Sequence, residues 1–156
     1  MIIPTKGRAE RLHDALDSLS AQTFTIGELI LVDDSPPDGF QQNEEIVSKF
    51  LKQCRSFPIR HLKGRGKGAA DARNQGAEVS SDDILSFIDD DVYLDKAYYE
   101  NLVRSFSDPA VAGVTGVITN PYIPSRKWLL LSKLFFLSTV SRHHGKMRRS
   151  GYPSYL

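Results

Sequence analysis

The sequence predicts an α/β domain with a largely parallel sheet flanked by helices. Three observations predict it. Short apolar runs alternate with amphipathic stretches along the chain. The run Leu29-Ile30-Leu31-Val32 is continuous, as in strands covered on both faces. Two such runs end in acidic clusters, Asp33-Asp34 and Asp89-Asp90-Asp91. In open α/β sheets, ligands bind outside the carboxyl ends of the strands. The length of 156 residues suits one domain able to bury a core. Hydrophobic residues at 40% and charged residues at 25% are ordinary for a soluble globular protein.

The elements follow in order. Met1 to Thr5 is a first strand that starts almost at the first residue, which suggests a trimmed N-terminus. Arg8 to Ala21 has helical spacing, with Leu12, Ala15, Leu16 and Leu19 on one face. After the Leu29–Val32 strand, Asp33 to Gly39 is rich in turn formers and is expected to be a loop. Glu44 to Cys54 is a second helix, and Ile59 to Leu62 a short strand. Lys63 to Gly68 forms a basic, glycine-rich loop before a helix over Ala69 to Val79. In that helix, Ala69, Ala72 and Gly76 allow close packing. Ile84 to Ile88 is the next strand, and Asp95 is expected to cap a helix reaching about Phe106. Val111 to Thr119 is a last strand candidate, broken by Pro121 to Pro124.

The remainder, 121–156, differs in character. All 19 acidic residues precede Pro109, whereas seven of the 20 basic residues follow it. Such a tail suits an anionic partner, or simple solvation at a chain end. The apolar stretch Trp128 to Val140 is too short for a bilayer, which needs about 20 residues. It fits a helix lying on a membrane or packed on further protein, so 126–149 is a candidate peripheral membrane contact. The opening lacks the pattern of a signal peptide, and the expected location is cytoplasmic with membrane association. The single Cys54 excludes an internal disulfide and a cysteine-based zinc site. Nucleic acid is not among the expected partners.

The chemistry concentrates at the strand ends. Three adjacent carboxylates repel one another, and a bound cation makes their arrangement sensible. Alternation in an extended backbone predicts Asp89 and Asp91 in one cleft with Asp90 pointing elsewhere. Magnesium or manganese takes one or two carboxylates plus substrate phosphates, so Asp89 and Asp91 are candidate metal ligands. The bland alternative is a solvated acidic loop that caps a helix. Asp34 can accept a hydrogen bond from a nucleobase N–H, whereas Asp33 is the better candidate for turn formation. Pro4-Thr5 follows Ile2-Ile3 in the same way. The loop with Lys67, then Arg73 and Asn74 at the start of a helix, offers donors to a base, ribose or phosphate. It lacks the ending of a Walker loop. His13, His61, His143 and His144 form no catalytic or zinc pattern.

These residues resemble a known family. Ile2-Ile3-Pro4-Thr5-Lys6-Gly7-Arg8, followed by Leu16-Asp17-Ser18-Leu19 and Gln22-Thr23-Phe24, looks like the opening of family 2 glycosyltransferases. Glu28 to Ser35 resembles that family's second strand, Gly68 to Gly76 its Ala-Arg-Asn-x-Gly helix, and Phe87 to Asp91 its Asp-x-Asp strand end. The matches run in family order across roughly Met1 to Thr119. The resemblance implies a GT-A (Rossmann-like) fold over 1–120, magnesium or manganese, and a nucleotide-diphosphate sugar donor, with UDP as the first expectation. It implies inversion at the anomeric carbon by an acceptor hydroxyl belonging to an unknown glycan, lipid or protein. By position, Pro4, Thr5, Arg8 and Asp34 would contact the nucleoside and Arg73 the base or phosphate. Asp89 would sit near the ribose and Asp91 on the metal, with Lys67 a further donor-site candidate. The family's catalytic base is an acid well after Asp-x-Asp, and no acid follows Asp108. The acceptor side is therefore expected to be truncated and the chain a poor transferase alone. Alternatives are a nucleotidyltransferase of related fold, a non-catalytic nucleotide-binding module and, more remotely, a receiver-like signalling domain.

Overall fold

The computed structural model describes residues 1–54 and 56–117, which fall almost wholly in one compact unit, Met1–Gly116. The apolar stretch, the basic tail and the proline break expected beyond Thr119 lie outside the described residues.

Strands β1 (Ile2–Thr5), β2 (Leu29–Asp33) and β3 (Ile59–Lys63) form a parallel sheet in the order β1-β2-β3. Helix α1 (Ala9–Ser20) connects β1 to β2, and α2 (Pro37–Gln53) connects β2 to β3. After β3, helix α3 (Ala69–Val79) carries the chain back across the sheet. Ile84 to Ile88 then runs parallel to β1 on its free side. Ile2 N–H donates to Ser86 O at 2.8 Å, Ile88 N–H donates to Ile2 O at 3.1 Å, and Ile2 bridges Phe87. The expected strand is thus a single bridge, because its other edge has no ladder among the described residues. Chain order reverses between β1 and this segment, which makes their carboxyl ends a topological switch point.

Alternation along the strands feeds two cores. Ile3, Leu29 and Leu31 face α1 and α2, packing with Leu12, Leu16, Val47 and Phe50. Ile2, Ile30 and Val32 face α3 at Ala72. Gly76 is what lets α3 lie so close: a Cβ there would stand 2.5 Å from Ile2 Cγ2.

Three expectations need correction. Helix α2 starts at Pro37, well before Glu44, because proline suits the first helical position, where an N–H has no partner anyway. The turn formers Pro36 to Gly39 therefore open a helix instead of filling a loop. Asp95 does not cap α4 (Tyr98–Arg104) directly; it forms a preceding turn, with Oδ1 accepting from Ala97 N–H at 2.9 Å. A 3-10 turn, Ser105–Ser107, follows α4. No strand forms over 111–117.

Candidate functional site

At the switch point the carboxyl ends of β1, β2 and the 84–88 segment open into a cavity of about 500 Å³, within the usual range for small-molecule sites. Pro4, Thr5, Lys6 and Arg8 line it from the β1 end, and Asp34 from the β2 end. Arg73 of α3 closes one side, and Asp89, Asp90 and Asp91 the other. Seven of the eight residues singled out by sequence thus meet in one place. Lys67 is not among the lining residues, although its neighbour Gly68 is. A larger cavity of about 610 Å³ lies elsewhere, lined mostly by apolar groups such as Ile84, Phe87, Leu102 and Val114. Its only charged side chains are Asp82 and Asp83, with no arginine or lysine to meet a phosphate, so size alone does not mark the site.

The floor is rigid. Asp33 is fully buried at the end of β2. Its Oδ1 accepts from Ser35 N–H at 2.8 Å, and its Oδ2 accepts from Asn43 Nδ2 at 2.8 Å and from His61 Nε2 at 3.1 Å. A carboxylate only accepts, so His61 carries its proton on Nε2 in this contact. Burial pushes the Asp33 carboxyl up, but the bonds from His61, Ser35 and Asn43 outweigh it and hold the group down at about 2. Ser35 Oγ accepts from Gly7 N–H at 2.7 Å, which ties the β1 loop to the β2 loop. Phe40 stacks on His61 with centroids 4.2 Å apart and supports the network from α2.

Asp34 points the other way. Its two oxygens accept from Gly66 N–H at 2.8 Å and Gly68 N–H at 3.0 Å, so it gathers the glycine-rich loop over the cavity edge. Glycine at position 64 leaves room for this carboxylate, because a Cβ there would lie 2.0 Å from Asp34 Oδ1 and displace it. A carboxylate has about four acceptor positions, which leaves Asp34 capacity for a ligand N–H.

The wall of acids is arranged differently from the expected alternation. Asp90, not its neighbours, is the buried member. It accepts from Thr5 Oγ1 at 2.6 Å and from Arg8 at 3.0 Å. The chain leaves its extended path and turns at Asp90-Asp91, so strict two-residue alternation stops there. Asp89 pairs with Arg73, and Asp91 Oδ2 pairs with Arg8 at 3.2 Å and Arg11 at 3.1 Å. Sequence reasoning missed Arg11, Asn43 and the role of His61. Arg11 looks like any exposed charge on an amphipathic helix, and Asn43 sits in a uniformly polar stretch.

Comparison with known proteins gives the family. Residues 1–153 match glycosyl transferase family 2. The chain belongs to that family. It is 35% identical over 118 residues to hyaluronan synthase of Streptococcus pyogenes, covering 74% of this chain and 28% of that protein. An uncharacterized glycosyltransferase of Haemophilus influenzae is 36% identical over 92 residues, which cover 58% of this chain and 28% of that one. The chain therefore spans little more than a quarter of the length of these curated relatives. Among solved structures, S. aureus TarS 1-349 in complex with UDP-GlcNAc superposes with a TM-score of 0.53 at 26% identity, over 69% of this chain and 30% of that one. The parallel sheet with flanking helices is a GT-A-type arrangement shared with TarS.

Proposed function

We propose that this chain is the donor-binding half of an inverting glycosyltransferase that uses a nucleotide-diphosphate sugar, with a UDP-sugar as the first candidate. The observation that supports it is the convergence of Thr5, Arg8, Asp34, Arg73 and the three aspartates on one cavity at the switch point. Family membership and the UDP-GlcNAc complex of TarS support the same donor class.

In this reading Asp34 accepts from the base N–H, while Pro4 and Thr5 form the floor under the nucleoside. Arg8 and Arg73 supply charge-assisted donors to the diphosphate. A dication fits the donor set. Asp89 and Asp91 are carboxylates with side chains 56% and 36% exposed beside the cavity and paired only with arginines that reach solvent, whereas Asp90 is buried against Thr5 and Arg8. Among the described residues no three acidic, histidine or cysteine groups cage a metal by themselves. Magnesium and manganese take one or two carboxylates and complete their shell with phosphates and water. The ion would neutralise the diphosphate and stabilise the leaving group.

In the reaction the acceptor oxygen bonds to the anomeric carbon as the bond to the diphosphate oxygen breaks. The acceptor hydroxyl proton then needs a base. The residues lining the cavity support donor binding as the role of this chain. A thermal-shift panel of sugar nucleotides, with and without manganese, tests the reading. Manganese-dependent stabilisation by one nucleotide diphosphate sugar is expected. Stabilisation by nucleoside triphosphates alone would favour nucleotidyl transfer and overturn it.

A further inference from the structure

Each aspartate of the acidic wall faces an arginine, but the four ion pairs are not equivalent. Arg8–Asp90 is anchored, because the Asp90 side chain is only 5% exposed and also holds Thr5. Arg11–Asp91 joins a 62% exposed guanidinium to a 36% exposed carboxylate at 3.1 Å. Its acceptor is Asp91 Oδ2, the same oxygen that takes Arg8 at 3.2 Å. Both guanidinium groups sit on Oδ2, so Oδ1 of the same carboxylate can still face a dication, but their positive charge beside it opposes a further cation. Of the two arginines, the more exposed Arg11 is the less constrained.

We propose that Arg11 is a positioning residue whose contact with Asp91 Oδ2 competes with a dication for that carboxylate, so that it lowers the metal affinity of the donor site. This rests on the donor-site reading above. It deepens that reading, because a residue outside the cavity lining then tunes how tightly the ion is held. The competition is electrostatic and exposed, so salt weakens it.

The test is a manganese titration of the full 156-residue chain without nucleotide, read by electron paramagnetic resonance of the free ion. Arg11→Gln should bind manganese about 2- to 5-fold more tightly than the unsubstituted chain, the size an exposed ion pair carries. The gain should shrink near 1 M salt, where the screening length is about 3 Å. Thermal unfolding of Arg11→Gln should be unchanged, which separates positioning from folding. Equal or weaker affinity in Arg11→Gln would overturn the proposal. So would an equal gain in Lys6→Gln, which would show a general field effect instead of a specific competition. Asp91→Asn should lose manganese binding. If Asp91→Asn binds as well as the unsubstituted chain, the donor-site metal assignment itself fails, and the competition fails with it.

Discussion

Two acidic motifs follow two apolar runs in this chain, and in sequence they look alike. Asp33 at the end of β2 is fully buried and takes three hydrogen bonds from Ser35, Asn43 and His61. Asp91 stands half in solvent and takes two long, flexible arginines. The first arrangement has short donors fixed by helix, strand and turn, so it is costly to alter and unsuited to exchange. The second has partners that reorient at little cost, which suits a group that must change partners during binding. Position after a strand marks both clusters as near a site, but only donor stiffness distinguishes scaffold from working surface.

The largest expected effect tests the scaffold half of that contrast. Asp33→Ala leaves Asn43, His61 and Ser35 N–H buried without their acceptor and should destabilise by at least about 3 kcal/mol in denaturant unfolding. A loss under about 1 kcal/mol would break the contrast. Acid should reveal the same network more gently. The folded carboxyl lies at about 2 against an ordinary 3.8, so its contribution is complete above pH 4 and is lost as pH falls towards 2. That contribution is about 2 kcal/mol, at 1.4 kcal/mol for each pH unit. Asp33→Asn should remove this part of the slope, and an unchanged pH profile would place the depressed group elsewhere. Next in size is Gly76→Ala. The added Cβ at 2.5 Å from Ile2 should cost about 1–3 kcal/mol of overpacking, offset by roughly 1 kcal/mol of helix propensity. Its melting temperature tests whether α3 sets the β1 end of the cavity by contact.

Much of this was legible because it depended on local periodicity. Helix α3 was expected over 69–79 and is found at Ala69–Val79, and β2 and β3 each run one residue further than expected. Convergence of Pro4, Thr5, Asp34 and Arg73 follows from placing each at a strand end or helix start, whereas Arg8 is expected there only from the family resemblance. What was hidden depended on pairs distant in sequence. Asn43 lies 10 residues from Asp33, and Arg11 lies 80 from Asp91. Nothing local marks either residue as special. The inward turn of Asp90 was hidden for a related reason. Alternation holds only while the backbone stays extended, and here it stops where β1 and Arg8 capture the chain.

The smallest expected change in stability falls on the other acidic motif. Among the described residues Asp91 pairs with Arg8 and Arg11, whose side chains are 51% and 62% exposed, so Asp91→Asn should shift unfolding by no more than about 0.5 kcal/mol. The same substitution should abolish the manganese-dependent part of the melting-temperature rise produced by a bound sugar nucleotide. The two readouts together separate the motifs: at Asp33 stability falls and binding is lost with the fold, while at Asp91 binding is lost and the fold persists. A large stability loss in Asp91→Asn would mean that its arginines brace the α1 start instead of waiting to be displaced. The acidic wall would then be scaffold throughout, and the diphosphate would have to be held by Arg8 and Arg73 without help from the Asp91 carboxylate.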